Sequence, residues 1–353
     1  MKKVYLPLDK ISHLQKFDQE RMAFFISHFP QELSRAHQLA KKITLPLSYK
    51  KTKKIIVSGM GGSAIAADLI KNLFKEKIKI PFFINRDYQL PPFVDKDTFL
   101  IMISYSGETK EVLNCFNQGL RKKAKIFVIS SNGKLLKKAK EKKLPYYTIN
   151  FSAPPRVAFP YLFSSLLVVL EKLNFLKKDI FKKAIIKELT GFNKNLQPKI
   201  RQKENLAKKI AWQSFEYVPL IIGAEHLIGV AQRWKTQFNE NAKNLAFFEI
   251  LPEANHNFIE GLKYPLVNES LFNFIILDSP FYSSKIKKAI SFYKEVFKKN
   301  NLIYQVVKGI KKDKISQTLS LIILGDWASY YLAILNEINP TPVKMIKLLK
   351  SRL

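Results

Sequence analysis

Cysteine is almost missing from this chain: one residue, Cys115, in 353, so no intrachain disulfide can form and no cysteine-rich metal site can be built. That suits a reducing cytoplasm. No HExxH pair, P-loop lysine signature or paired-cysteine arrangement occurs, so a metal or nucleotide mechanism has no motif to rest on, and neither metal nor cofactor is expected. The opening residues, Met1-Lys2-Lys3-Val4-Tyr5-Leu6-Pro7, lack the sustained apolar core of a signal peptide. Long hydrophobic runs are missing as well. The strongest, Ala158 to Leu170, contains Pro160, Ser164 and Ser165 and is too short to span a bilayer; a buried helix accounts for it, and no membrane partner is expected. A DNA-reading helix-turn-helix is not recognisable, nor is an N-terminal nucleophile cysteine or a glutaminase segment.

Acidic residues are scarce: 28 Asp and Glu stand against 60 Lys and Arg, a formal charge of +32. Such an excess raises affinity for phosphate backbones. Here the basic residues are spread over nearly every helix and turn, as in Arg121-Lys122-Lys123-Ala124-Lys125 and Lys137 to Lys143, and the aromatic residues sit in apolar runs apart from them. The bias belongs to the whole chain, and no specific nucleic-acid partner is expected.

What is present is an alternation of β-branched runs and helical patterns. The length suggests two domains: a helical lead-in over 1–45, a first α/β domain over 46–153, a helical bridge over 154–212 and a second α/β domain over 213–353. Each α/β domain is expected to be a doubly wound, mainly parallel sheet flanked by helices. The first unit is the clearest. Ile55-Ile56-Val57-Ser58 runs through Gly59-Met60-Gly61-Gly62-Ser63 into a helix with Ile65, Leu69, Ile70 and Leu73 on one face. Backbone N–H groups at such a turn face the positive end of a helix dipole, and Gly61 and Gly62 let an anion approach. Thr98 to Ile103, apolar on both faces, reads as a central parallel strand and empties into Ser104-Tyr105-Ser106-Gly107-Glu108-Thr109. Two strand ends rich in small hydroxyls point to one shared phosphate site; Ser106 or Thr109 also suits a helix N-cap. Arg156 follows Pro154 and Pro155, placed either to clamp a ligand oxygen or simply on the surface.

In the second half the strand Tyr217 to Ile222 and the Gly223 turn lead to a helix over His226 to Ala242. Glu240 lies at the end of that helix, and His256 follows a strand in Pro252-Glu253-Ala254-Asn255-His256-Asn257. If both lie at one edge of the sheet, a carboxylate and an imidazole can divide acid and base work, one moving a proton on carbon and the other on oxygen. Glu253 competes for the base role, and an exposed Glu is commonly only a solvated charge. Glu225 and His226 read as caps or surface residues.

Across Gly59-Met60-Gly61-Gly62-Ser63, Ser104 to Thr109, Pro155-Arg156, Asn239-Glu240-Asn241 and Glu253 to Asn257, the chain resembles the bifunctional phosphoglucose/phosphomannose isomerases of the sugar-isomerase (SIS) fold. The resemblance implies two SIS domains in a cytoplasmic homodimer and a place in glycolysis and gluconeogenesis. It implies an aldose–ketose isomerase joining glucose 6-phosphate and mannose 6-phosphate to fructose 6-phosphate. SIS domains also serve as noncatalytic sugar-phosphate sensors, the second expectation. By the resemblance, Ser63, Ser104, Ser106 and Thr109 bind the sugar phosphate beside Gly61 and Gly62, and Arg156 stabilises the enediolate. Glu240 is the base acting between C1 and C2, and His256, from the neighbouring subunit, assists ring opening. A C-terminal lysine, Lys350 with Lys347 close in register, also serves ring opening. Thr341 matches the threonine that leaves room for the intermediate to turn about C2–C3.

Overall fold

The computed structural model describes residues 7–352. Pro30–Ile186 forms one compact unit, and the rest of the described chain, up to Phe29 and from Lys187 onward, forms the other.

Five parallel strands make the sheet of the first unit: β1 (Lys54–Gly59), β2 (Phe82–Asn85), β3 (Thr98–Ile103), β4 (Lys125–Ser130) and β5 (Tyr146–Thr148), in the order β2-β1-β3-β4-β5. Val57 stands opposite both Ile84 and Ile101, and Ile101 opposite Phe127. Every residue of β3 is buried, as its two-faced apolar pattern requires. Side chains alternate across the pleat, so Ile56, Leu100, Met102, Ile126 and Val128 gather on one face with Val112 and Phe116 of the Lys110–Arg121 helix and Leu135 of the Gly133–Glu141 helix. The Gly61–Leu73 and Phe159–Lys172 helices pack together, and the latter is buried from Phe159 to Glu171. From β1 the chain turns to β2 on one side and then crosses to β3 on the other. The crevice opened by that reversal lies beyond the carboxyl ends of β1 and β3.

The second unit repeats the plan with four parallel strands, β6 (Val218–Ala224), β7 (Phe247–Leu251), β8 (Phe272–Asp278) and β9 (Tyr304–Lys308), ordered β7-β6-β8-β9. Ile221 stands opposite Phe248 and Ile275. The helices Ile11–Phe17 and Met22–Ser27, first in the sequence, belong to this unit. Asp9 Oδ1 accepts from Gln202 N at 2.7 Å and Lys208 Nζ at 3.1 Å, while Asn193 Nδ2 donates to the carbonyls of Ile26 and Ser27 at 3.2 and 2.8 Å.

The axis of the second unit is the helix Lys314–Leu335. With a mean hydropathy of 1.5 it is long and apolar enough by composition to cross a membrane, more so than the Ala158 to Leu170 run, yet that window is fully buried inside the protein. Polar residues along it meet neighbours within the unit: Asp326 takes Arg233 Nη2 and Gln237 Nε2 at 2.8 Å each, and Ser329 Oγ takes Asn241 Nδ2 at 3.0 Å.

Gln317, near the start of the same helix, corrects the expectation for His226. That residue is buried at 2% exposure, with Nε2 2.9 Å from Gln317 Oε1. Gln317 Nε2 donates to the Asp278 carbonyl at 3.3 Å, which turns Oε1 toward the imidazole and places the proton on His226 Nε2. Glu225 does not cap the helix it precedes; its carboxylate accepts from Ser283 N at 3.0 Å, and Ser283 itself caps the Ser284–Lys299 helix. Burial, partly opposed by the Gln317 hydrogen bond, pushes the His226 pKa below its ordinary 6.5; of the nearby charges Lys314 lowers it and Glu225 raises it. Below about pH 6.5 the unfolded chain therefore binds a proton that the folded one resists, and stability falls with pH. The urea midpoint is expected to drop between about pH 7.5 and about pH 5.5, and to drop less in His226→Gln. Equal slopes in the two proteins would remove His226 as a source.

Candidate functional site

At the carboxyl edge of the first sheet two turns meet. Gly61 carries φ +48°, a left-handed backbone that glycine tolerates, and the space its missing Cβ would occupy is open. Gly62 faces the backbone of Arg156, 3.5 Å from where a Cβ would sit. The Gly61–Leu73 helix that follows has Met60 at its N-cap and no side chain capping it, so its first N–H groups and dipole are presented to the crevice. Ser63, 8% exposed, accepts from Tyr105 N at 3.3 Å and joins the glycine turn to the loop after β3.

Within that loop Ser104 Oγ lies 2.8 Å from Thr109 Oγ1 and accepts from Gly107 N at 3.1 Å. Thr109 occupies the N-cap position of the Lys110–Arg121 helix, as the sequence allows, but its hydroxyl is engaged with Ser104 and does not cap. Ser106 is exposed and accepts from Glu108 N at 3.4 Å, so it is not the cap either. Gly107 (φ +70°) is pressed against the next turn, its Cβ position only 1.9 Å from Asn132 O. The loop is thereby fixed, and Ser63, Ser104, Ser106 and Thr109 are brought to one edge around two helix N-termini without side-chain caps.

Arg156 is 3% exposed, in the short turn Pro155–Val157, and not on the surface. Its backbone lies against Gly62, so the residue stands beside the start of the Gly61–Leu73 helix, whose positive end favours an anion. Tyr105 braces the same edge: its hydroxyl donates to the Phe151 carbonyl and accepts from Ala153 N.

The second unit positions Glu240. Its helix, Ile228–Asn241, is clamped to Lys314–Leu335 by the Arg233 and Gln237 contacts to Asp326 and by Trp234 Nε1, which donates to the Leu321 carbonyl at 2.8 Å. The asparagines flanking Glu240 have structural work: Asn239 Oδ1 accepts from Ala246 N at 3.0 Å, and Asn241 reaches Ser329. Glu240 is half-buried at the wall of a hollow of ≈ 830 Å³. Asn339, Pro342 and Lys344 share that wall with Gln19 and Glu20. Thr341, 6% exposed, lies within the same turn. Lys350 and Lys347 are exposed on the last helix, Lys344–Arg352, and of the C-terminal lysines it is Lys344 that lines the hollow.

His256 is elsewhere. A helix that follows a strand in a parallel sheet ends where the next strand begins, so Glu240 stands at the amino edge of the second sheet. His256 closes the turn Glu253–His256 after β7 and stands at the carboxyl edge. The expectation that they share an edge is corrected: the five residues of β7 separate them, on the order of 16 Å at the rise of a strand. Glu253 is with His256, exposed and accepting from Asn257 Nδ2 at 3.2 Å.

Comparison with known proteins adds the lineage. Residues 48–144 match the family model described as SIS domain, and 203–353 match that of the bacterial phospho-glucose isomerase C-terminal SIS domain. A bifunctional phosphoglucose/phosphomannose isomerase of Caldicellulosiruptor bescii is 33% identical over 336 residues, 93% of this chain and 97% of that protein. This chain belongs to the bifunctional phosphoglucose/phosphomannose isomerase family. Its relative of the same name in Aquifex aeolicus is 32% identical, over 85% of this chain and 90% of its own. Among solved structures, a hypothetical protein of Thermus thermophilus superposes with a TM-score of 0.72, over 97% of this chain and 92% of that one, at 15% identity; this likeness speaks for the fold.

As a member of this isomerase family, the chain offers two residues at the end of the Glu240 helix and its hollow that sequence patterns passed over, Lys243 and Lys344. Lysines are so common here that neither stands out, and their neighbours in space lie about a hundred residues away in sequence.

Proposed function

We propose that this chain interconverts glucose 6-phosphate and mannose 6-phosphate with fructose 6-phosphate through an enediolate. The observation that carries the proposal is the crevice beyond β1 and β3, where Ser63, Ser104, Ser106 and Thr109 border two helix N-termini and the buried Arg156. Hydroxyls and amides there hold the phosphate, with Gly61 and Gly62 giving the backbone access. The charged phosphate supplies binding energy away from the reacting carbons and orients them.

In the open-chain aldose Glu240 takes the proton from C2. The electron pair forms the C1–C2 double bond and the carbonyl pair moves onto O1, giving the enediolate. A proton passes from O2 to O1, and return of the carbon-bound proton to C1 as the C2 carbonyl forms gives the ketose. One hydrogen moves between adjacent carbons, so the sum needs no outside oxidant or reductant. Arg156 stabilises the negative oxygens midway. Reprotonation at C2 on the other face gives the mannose epimer, for which Thr341 leaves room to turn about C2–C3. Lys350 assists ring opening together with the partner subunit's His256. The placement of His256 and Glu240 at opposite edges of one sheet supports a homodimer, which a light-scattering mass checks. The single cysteine, buried, supports a cytoplasmic protein.

The noncatalytic sensor ranks below this reading, because the full-length relatives are named as isomerases. Measuring fructose 6-phosphate formation from each aldose phosphate, with and without a chelator, decides the matter. Conversion of both, unaffected by the chelator, is expected; conversion of neither would overturn the proposal.

A further inference from the structure

Just beyond the Ile228–Asn241 helix that carries Glu240 stands Lys243, whose φ of 49° is left-handed. Glycine or asparagine is the usual occupant of such a position, and other side chains are disfavoured there. This lysine side chain has a use. Its Nζ donates to the carbonyls of Asn339 at 2.8 Å, Pro340 at 3.0 Å and Asn241 at 3.2 Å. An ammonium has three protons to give, and three carbonyls are within reach of them. One belongs to the residue after Glu240; the other two are the last carbonyls before Thr341. Asn339 continues the link, its Oδ1 accepting from Thr341 N at 3.0 Å, and Asn336 Nδ2 adds a parallel tie to the Ala242 carbonyl at 3.0 Å.

We propose that Lys243 is a positioning residue that clasps the Asn339–Thr341 turn to the end of the Glu240 helix and so controls access to the mannose epimer. The inference rests on the isomerase reading, in which Glu240 moves the proton and Thr341 leaves room for rotation about C2–C3. A clasp between those two residues sets how much of that room exists. It bears on the step the two aldose substrates do not share.

Lys243→Asn tests it, because asparagine accepts the left-handed backbone while the ammonium is removed. The expected result is a fall of about tenfold in kcat/KM for mannose 6-phosphate, with that for glucose 6-phosphate kept within about twofold and the thermal midpoint little changed. Lys243→Arg, which keeps the charge and the donors, should restore most of the mannose activity. If Lys243→Asn does not fold, Lys243→Gly, equally at ease in that conformation, carries the same comparison. Loss of both activities in proportion, or an unchanged ratio, would overturn the clasp. The wild-type protein separates the two claims: if it fails to convert both aldose phosphates, the isomerase reading falls and takes the clasp with it.

Discussion

Under the proposed function, Glu240→Gln is expected to remove exchange of the C2 hydrogen of glucose 6-phosphate with solvent and to leave the sugar phosphate bound. Glutamine keeps the shape of the side chain and cannot accept the proton, so turnover falls by at least about 10²-fold and up to about 10⁴-fold, the usual range for loss of a general base. Binding survives because the phosphate is assigned to the hydroxyls of the first unit. The helix survives because Arg233, Trp234, Gln237 and Asn241 make the buried contacts that hold it. Deuterium uptake from heavy water, read beside a binding isotherm for fructose 6-phosphate, checks both halves. Undiminished exchange would strip Glu240 of its role and pass the candidacy to Glu253; in the expected case Glu253→Gln turns over normally.

Asp326→Ala should unfold the second unit at a much lower temperature. Arg233 and Asp326 are 1% and 4% exposed at the side chain and 2.8 Å apart. Removing the carboxylate leaves a guanidinium in the interior without that countercharge, and also takes the acceptor from Gln237. Breaking a buried pair from one side costs about 3–5 kcal/mol, which corresponds to a drop of about 6–20 °C for a unit of this size. Adding Arg233→Met should recover much of the loss, since replacing both charges by packed apolar atoms is often close to neutral. A thermal melt of the two variants tests this, and a shift of under about 2 °C for Asp326→Ala would show that the pair contributes little.

The strand, glycine turn and helix that border the candidate crevice were legible in the sequence because their signals are local. A β-branched run, a glycine turn and a helical face lie within about twenty residues, and the topology of a parallel sheet fixes where such a turn must stand. The same locality misled at Thr109 and His226. Thr109 stands where a cap belongs, yet its hydroxyl is taken by Ser104, a partner that only the bent path of the loop supplies. His226 starts an element beside a charged neighbour, as surface residues do, and is buried because Gln317, ninety-one positions away, packs over it. The pairing of Glu240 with His256 looked plausible from sixteen residues of separation. Two edges of a sheet are as near in sequence as one edge, and only the direction of the strand tells them apart.

By itself the sequence determined the fold class, two mainly parallel sheets flanked by helices, and the glycine turn that follows the first strand. Periodicity and turn chemistry act over a few residues and survive any long-range arrangement. The tertiary structure alone decided which buried charges are matched, that the long apolar helix Lys314–Leu335 is sheathed in protein, and that Lys243 binds the Thr341 turn to the Glu240 helix. These depend on contacts between segments about ninety to a hundred residues apart, and no local pattern carries them, because burial and hydrogen-bond satisfaction are properties of the packed chain.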